Sequence, residues 1–577
     1  MLGTIAGFWI SLFLMVVIFV GIIAALVSSD VTSSVDIQKK SVLYLDLSGD
    51  MPERTQTDDL WSAIFENKKF GDSFIDVVNS IRLAKNDSKI EGLYINAGGS
   101  TAGFAAREEI LNAIKDFKES GKWVYAYADS YSQGDYLISS CADSLFVNPV
   151  GAVGIHGVAS QIPFFTGFLE KIGVKMQVVR VGSFKSAIEP FVNKTISEAS
   201  RLQTQTMIDS IWKFYNLEVS ENRKVGKNTV NLWADSMIST WDKTRLLESG
   251  AVSALRYRRN VEDLLISKCG KKDMDDMSLV TPSEYMMSQK MADGNKKHIA
   301  VLFAVGDIVD SGKWGIVGEK MAPEIIRLAD DENVAALVLR VNSGGGSGFA
   351  SEQIWEALEY FKSKDKEFYV SMGDYAASGG YYISCGADRI YADCTTITGS
   401  IGVFGMIPDF SGLVSDKLGI TFANIESNPN AIFPNVMEPL SVQQLEALQH
   451  SVENFYEIFV NRVADGRDIP VENVKEIAQG RVWIGGDALR LGLVDEIGGL
   501  NNAISDISEK VGLSVEKVVY YPKIEDKLLL SLIANAQDNV NSHSVVFSEE
   551  AKSIVRFVER LGTLNPIQAR MPELKIY

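Results

Sequence analysis

The chain has 577 residues, 46% of them hydrophobic and 23% charged, an ordinary balance for globular protein and too much length for a single core. A net charge of −18 excludes the basic face that nucleic-acid binding needs. The four cysteines (Cys141, Cys269, Cys385, Cys394) and four histidines (His156, His298, His450, His543) lack the spacing of a metal site, so neither metal nor cofactor is expected.

Residues 1–29 contain the uncharged run Ile5–Val27, long enough to cross a bilayer as a helix. No Lys or Arg precedes it, unlike the start of a cleavable signal peptide, so it is expected to be an uncleaved anchor. The nearest cations, Lys39 and Lys40, lie beyond it and taken alone would put the body in the cytoplasm.

The rest of the chain is a duplication. Val42–Asp50 matches Ile299–Asp307, Ile81–Ala84 matches Ile326–Ala329, and Leu93–Gly99 matches Leu339–Gly345. Tyr136–Ser139 then matches Tyr381–Ser384, and Gly151–Gly157 matches Gly399–Gly405. The offset is 257 for the first pair and stays between 245 and 248 for the others, an order chance does not produce. Two units are therefore expected, over residues 41–265 and 298–520, with an exposed charged connector at 266–297 and a tail at 521–577 that packs on the second unit and carries no chemistry. Each unit alternates short apolar strands with amphipathic helices. Such βαβα order, with glycine turns at strand ends, predicts an α/β fold with a parallel sheet wrapped by helices. Active groups then collect beyond the carboxyl ends of the strands.

The stretch Ser371–Gly380 (SMGDYAASGG) sits at such an end, where the small neighbours of Ser378 leave its hydroxyl unobstructed. A glycine-rich turn without chemistry would look the same in isolation. The duplication decides between the two readings. Ser378 aligns with Gln133, which cannot act as a nucleophile. A serine also needs an adjacent base, and the candidate lies in the first copy, where Lys185 is flanked by Phe184, Ala187, Ile188 and Phe191. Its counterpart in the second copy is Ala431. A surface lysine with its stem on apolar neighbours is the bland alternative. The complementary losses favour one site built from both copies, in which a buried lysine, kept neutral by desolvation, takes the serine proton.

These residues resemble the signal peptide peptidase A family in its long, duplicated, membrane-anchored form, across roughly residues 41–520. The resemblance rests on Arg340–Gly346 (RVNSGGG), Met372–Gly380, Thr398–Gly402 (TGSIG), Gly480–Asp495 (GRVWIGGDALRLGLVD) and Lys185 within FKSAIEPF. It implies two tandem repeats of the crotonase and caseinolytic-protease superfold after a transmembrane helix. It also implies Ser378 as nucleophile, Lys185 as general base, Ser400 as a residue holding the lysine, and oxyanion donors at Gly379 and Gly345. Gly344 stands where the family carries proline. The implied setting is the extracytoplasmic face of a bacterial inner membrane, with residual signal peptides as substrates and a homotetrameric assembly. Two other readings are a crotonase-type acyl-CoA enzyme, whose glycine loops would hold a thioester oxyanion, and a catalytically silent membrane scaffold.

Overall fold

A computed structural model describes residues 37–55, 72–289, 292–523 and 567–571. The anchor expected at Ile5–Val27 lies outside the described residues, and among these no helix is long and apolar enough to cross a membrane.

The first copy is built on β1 (Ser41–Gly49), β2 (Ile90–Ser100), β3 (Trp123–Ala128) and β4 (Ser144–Val147). After them come β5 (Lys175–Arg180), β6 (Ala254–Leu255) and β7 (Leu279–Val280). All but β5 form one parallel sheet in the order β6-β4-β3-β2-β1-β7. The strands are apolar because both faces are covered. Helices Phe74–Ala84 and Phe104–Lys118 bury one face, and helix Arg258–Cys269 packs Val261 and Leu265 on the other.

The second copy repeats the plan with β8 (His298–Val305), β9 (Ile308–Val309), β10 (Ile316–Val317), β11 (Val334–Ser343) and β12 (Gly345–Ser347). Further along are β13 (Glu367–Ala377), β14 (Arg389–Ala392), β15 (Ile397–Gly399), β16 (Phe404–Asp409), β17 (Val482–Ile484), β18 (Glu496–Ile497) and β19 (Val518–Tyr521). Its parallel core β14-β13-β11-β8-β19 mirrors β4-β3-β2-β1-β7, and β18 flanks β14 as β6 flanks β4.

This correspondence corrects the expected connector. Residues 279–280 are the edge strand β7, the counterpart of β19, and helix Pro282–Ser288 packs beside Phe74–Ala84 under a Thr281/Glu284 capping box. The first unit therefore runs beyond residue 265 into the stretch read as exposed. A third, mixed sheet joins the copies in the order β10-β9-β12-β20-β16-β5, where β20 (Ile567–Arg570) comes from the tail and β5 from the first copy.

Buried ions lock the copies together. The Arg340 guanidinium of β11 is fully buried between first-copy carboxylates, with Nη2 2.7 Å from Glu109 Oε1 and Nε 3.1 Å from Glu53 Oε2. Desolvation opposes its charge, but Glu109 and Glu53 together hold its pKa above the usual arginine value. Glu53 also accepts from Asn342 Nδ2 at 2.8 Å. Neighbouring carboxylates cap backbone across the seam: Glu108 accepts from the Cys394 and Thr395 amides, Glu109 from Leu500, and Asp374 from Ala105 and Ala106. Removing one partner of such a buried set leaves an uncompensated charge. Arg340→Met is therefore expected to cost about 3–5 kcal/mol, read as a lowered urea midpoint; an unchanged midpoint would mean the pairing is dispensable.

Candidate active site

Ser378 follows β13, whose last residues pair with β15 through Ala376↔Thr398 and Ala377↔Gly399. Its backbone sits at φ +57°, ψ −115°, a conformation that costs a non-glycine residue about 1–3 kcal/mol. Two hydrogen bonds hold it there. The Ser378 N–H donates to the Gly399 carbonyl at 2.8 Å, and the Ser378 carbonyl accepts from the Tyr382 N–H at 2.8 Å.

Lys185 arrives from the other copy. β5 runs antiparallel to β16, from Arg180 opposite Phe404 to Lys175 opposite Asp409. The chain beyond β5 stays tied to the second copy, with the Val181 N–H on the Val403 carbonyl and the Phe184 N–H on the Gln479 carbonyl, both at 3.0 Å. Gln203 completes the clamp by donating to the Phe184 carbonyl and accepting from the Val482 N–H.

The structure brings these two residues together. Lys185 Nζ is fully buried, 2.7 Å from Ser378 Oγ and 3.1 Å from both the Oγ and the carbonyl oxygen of Ser400. Burial drives its pKa well below the ordinary lysine value. Ser400, also at positive φ (+52°), donates its hydroxyl to the Gly480 carbonyl, which turns oxygen lone pairs toward the amine. A neutral amine has two N–H groups and one lone pair. The two Ser400 oxygens accept the N–H groups, so the lone pair is left for the Ser378 hydroxyl.

Gly480 and Gly402 wall the lysine stem. A Cβ on Gly480 would lie 2.6 Å from Lys185 Cβ, and one on Gly402 would lie 3.4 Å from its Cδ. The sequence reading missed both roles, although Gly480 opens one of the quoted motifs. Of the described histidines, His298 is buried against the Tyr521 hydroxyl at 2.9 Å, and His156 and His450 are exposed.

The two glycines expected as oxyanion donors fare differently. Gly379 directly follows Ser378. The Gly345 N–H instead donates to Ser343 Oγ at 3.1 Å, so it is spent within its own turn. Gly346 is the residue in ladder register with Ala569 of β20. The Ala569 carbonyl oxygen occupies the crevice between the glycines: a Cβ on Gly345 would meet it at 2.2 Å, and one on Gly379 at 3.1 Å. The expected Gly345 donor is thus engaged by Ser343, while Gly346, its neighbour in the loop, is the residue opposite Ala569. The tail, expected to carry no chemistry, reaches the same place. Beside it lies a cavity of about 370 Å³ between the copies, with Phe104, Ile211 and Ile397 on its apolar side and Arg107 and Asp374 on its polar side.

The first copy closes the equivalent place. Gln133 Oε1 accepts from the His156 and Gly157 amides at 2.8 and 3.0 Å, and its Nε2 donates to the Gly157 carbonyl. His156 and Gly157 correspond to Phe404 and Gly405, the residues that pair with β20 in the second copy. One side-chain amide thus substitutes for a bound strand. Ala431, opposite Lys185 in the alignment, is exposed.

Known proteins agree with this architecture. The model of peptidase family S49 matches twice, over residues 116–266 and 360–514, once in each copy. Protease 4 of Haemophilus influenzae is 33% identical over 97% of this chain and 93% of its own length. Protease 4 of Salmonella typhi is 33% identical over 86% of this chain and 83% of its own. The chloroplastic serine protease SPPA of Arabidopsis thaliana is 28% identical over 84% of this chain and 71% of its own. Two matches in register with the duplication, and full-length relatives on either side of them, mean that the chain belongs to peptidase family S49 and is a serine peptidase of the protease 4 type.

Proposed function

We propose that Ser378 and Lys185 are the catalytic dyad and that the enzyme hydrolyses apolar peptides, residual signal peptides among them, from a membrane anchor. The observation that carries this reading is the 2.7 Å approach of a buried lysine amine to a serine hydroxyl on a strained turn. Neutral Lys185 takes the Ser378 proton as Oγ attacks the peptide carbonyl, and the oxyanion forms against the Gly379 and Gly346 amides. The ammonium then returns its proton to the departing amine. Water, deprotonated by the same lysine, releases the acyl group and regenerates the serine. The apolar side of the cavity (Phe104, Ile211, Ile397) suits apolar side chains of a substrate, and the relatives named signal peptide peptidase or protease 4 are in keeping with that class. The acyl-CoA and scaffold readings gain no support from this geometry.

Ser378→Ala and Lys185→Met are each expected to abolish hydrolysis of a fluorogenic apolar peptide, and mixing the two variants should restore nothing, because both groups come from one chain. The rate of the wild type should rise with pH through the lowered Lys185 pKa and level off well below the ordinary lysine value of about 10.4. Activity in either variant, or a rate that climbs only near that value, would remove the lysine base.

The anchor is assigned to Ile5–Val27, with the body on the extracytoplasmic side of a bacterial inner membrane. Protease added outside spheroplasts should then digest residues 41–520; digestion only after lysis would reverse the orientation.

Self-assembly into a homotetramer has its own support. The alignment makes residues 421–426 the counterpart of β5, and residues 156–161 the counterpart of β16. In one chain β5 pairs with β16, whereas 421–426 lies exposed amid Leu418, Ile420, Phe422 and Ile425, the last 98% accessible. An exposed donor segment and its acceptor on one molecule make a head-to-tail interface that can close into a ring. Ile425→Asp should lower the mass measured by light scattering to that of smaller species, and an unchanged mass would rule out this surface.

A further inference from the structure

Residues 203, 207 and 211 of helix Glu198–Arg223 are spaced four apart and so share one face. Met207 and Ile211 are buried there in an apolar cluster with Ala377, Ile397 and Ile484. Helical periodicity asks for a third apolar residue at the first position. The chain carries Gln203 instead, only 4% exposed. A buried amide is tolerated only when its hydrogen bonds are made, and here they are all made around Lys185. Gln203 Nε2 donates to the Phe184 carbonyl at 3.1 Å and to Ser186 Oγ at 2.8 Å, the residues on either side of the lysine. Its Oε1 accepts from the Val482 N–H at 3.2 Å. Val482 lies opposite Gly399 in the β15–β17 ladder, and the Gly399 carbonyl holds the Ser378 N–H. The Arg481 carbonyl, one residue earlier, accepts from the Ser400 N–H at 2.7 Å. The helix start is tied to the lysine segment as well, through Glu189, which accepts from the Ser197 N–H and hydroxyl at 3.1 and 2.6 Å. One side chain thus joins both flanks of the lysine to the strand edge that holds Ser400 and the backbone of Ser378.

We propose that Gln203 is the positioning residue of the base, holding the Lys185 segment against β17 so that Nζ keeps its place between Ser400 and Ser378. It touches no reacting atom and acts through the backbone and side chain of its two neighbours. Without it, residues 184–186 lose their tie to Val482, water gains access to the amine, and its lone pair is no longer fixed on the Ser378 hydroxyl. The proposal rests on the Ser378–Lys185 reading, because it takes Lys185 as the group that accepts the serine proton.

The test uses the full chain in three variants. Gln203→Leu keeps the bulk and removes all three hydrogen bonds. Per folded molecule at neutral pH, kcat for a fluorogenic apolar peptide should fall about 10–100-fold with KM unchanged, the loss that follows when a reacting group is displaced by about an ångström. The midpoint of the rate against pH should move up, because water at Nζ restores part of the solvation of the ammonium form. Gln203→Glu keeps the shape and so covers the case in which the leucine variant does not fold. Its carboxylate near the amine favours the ammonium and should also raise the midpoint. Asn216→Leu removes another buried amide of the same helix, one that donates to Asn231 Oδ1 at 2.8 Å. That variant should melt at a lower temperature but keep the kcat and the pH midpoint of the wild type. Unchanged kcat and midpoint in the Gln203 variants, or an equal shift in Asn216→Leu, would overturn the proposal while leaving the dyad standing. Activity in Lys185→Met would instead sink the dyad and the proposal with it, whatever the Gln203 variants show.

Discussion

A guanidinium held between two carboxylates, one from each of two separate segments of the first copy, is the constraint on which the enzyme depends. Arg340 belongs to the second copy, Glu53 and Glu109 to the first, and all three are buried. Such a set adds little to stability compared with apolar packing, but it tolerates no slippage. That intolerance fixes how the first copy seats on the second, and it is the second copy's sheet that receives β5 and the Lys185 segment.

The site itself works against folding. Burial lowers the Lys185 pKa below its value in the unfolded chain, so between the two the unfolded state binds the extra proton. Stability contributed by this group therefore falls as pH drops below the ordinary lysine value and keeps falling toward the lowered one. Ser378 and Ser400 add backbone strain at positive φ. Offsetting these costs are the parallel cores of both copies and the carboxylates of Glu108, Glu109 and Asp374, which satisfy amides that the seam would otherwise bury unpaired.

Much of this was legible in the sequence because duplication supplies its own control. Ser378 against Gln133 and Lys185 against Ala431 are comparisons internal to one chain, and the alternating apolar runs give the parallel sheets their period. What could not be read depends on side chains meeting across long separations. β7 is two residues long, and Leu279 and Val280 carry no period of their own; they become a strand because β1 has an open edge. Gly345 and Gly346 are chemically identical, and only the Ser343 hydroxyl decides which amide is engaged. β20 is four ordinary residues whose meaning comes from the gap between β12 and β16. The glutamine at 133 could be recognised as differing from Ser378, but the hydrogen bonds its side chain accepts from the His156 and Gly157 N–H groups arise only once the fold brings residues 23 and 24 positions apart together.

The crossing of β5 into the second copy has a temporal consequence. The lysine and serine are 193 residues apart, and the strand that delivers Lys185 has no partner until β16 has been synthesised. A ribosome-bound chain that displays only its first half therefore carries a hydrated, charged lysine and no nucleophile. Domains fold as they emerge, N-terminal first, so the proposed dyad cannot form while the second half is still being made. With the proposed dyad, proteolytic competence begins only when the second half closes over the first, which gives the enzyme a period of latency.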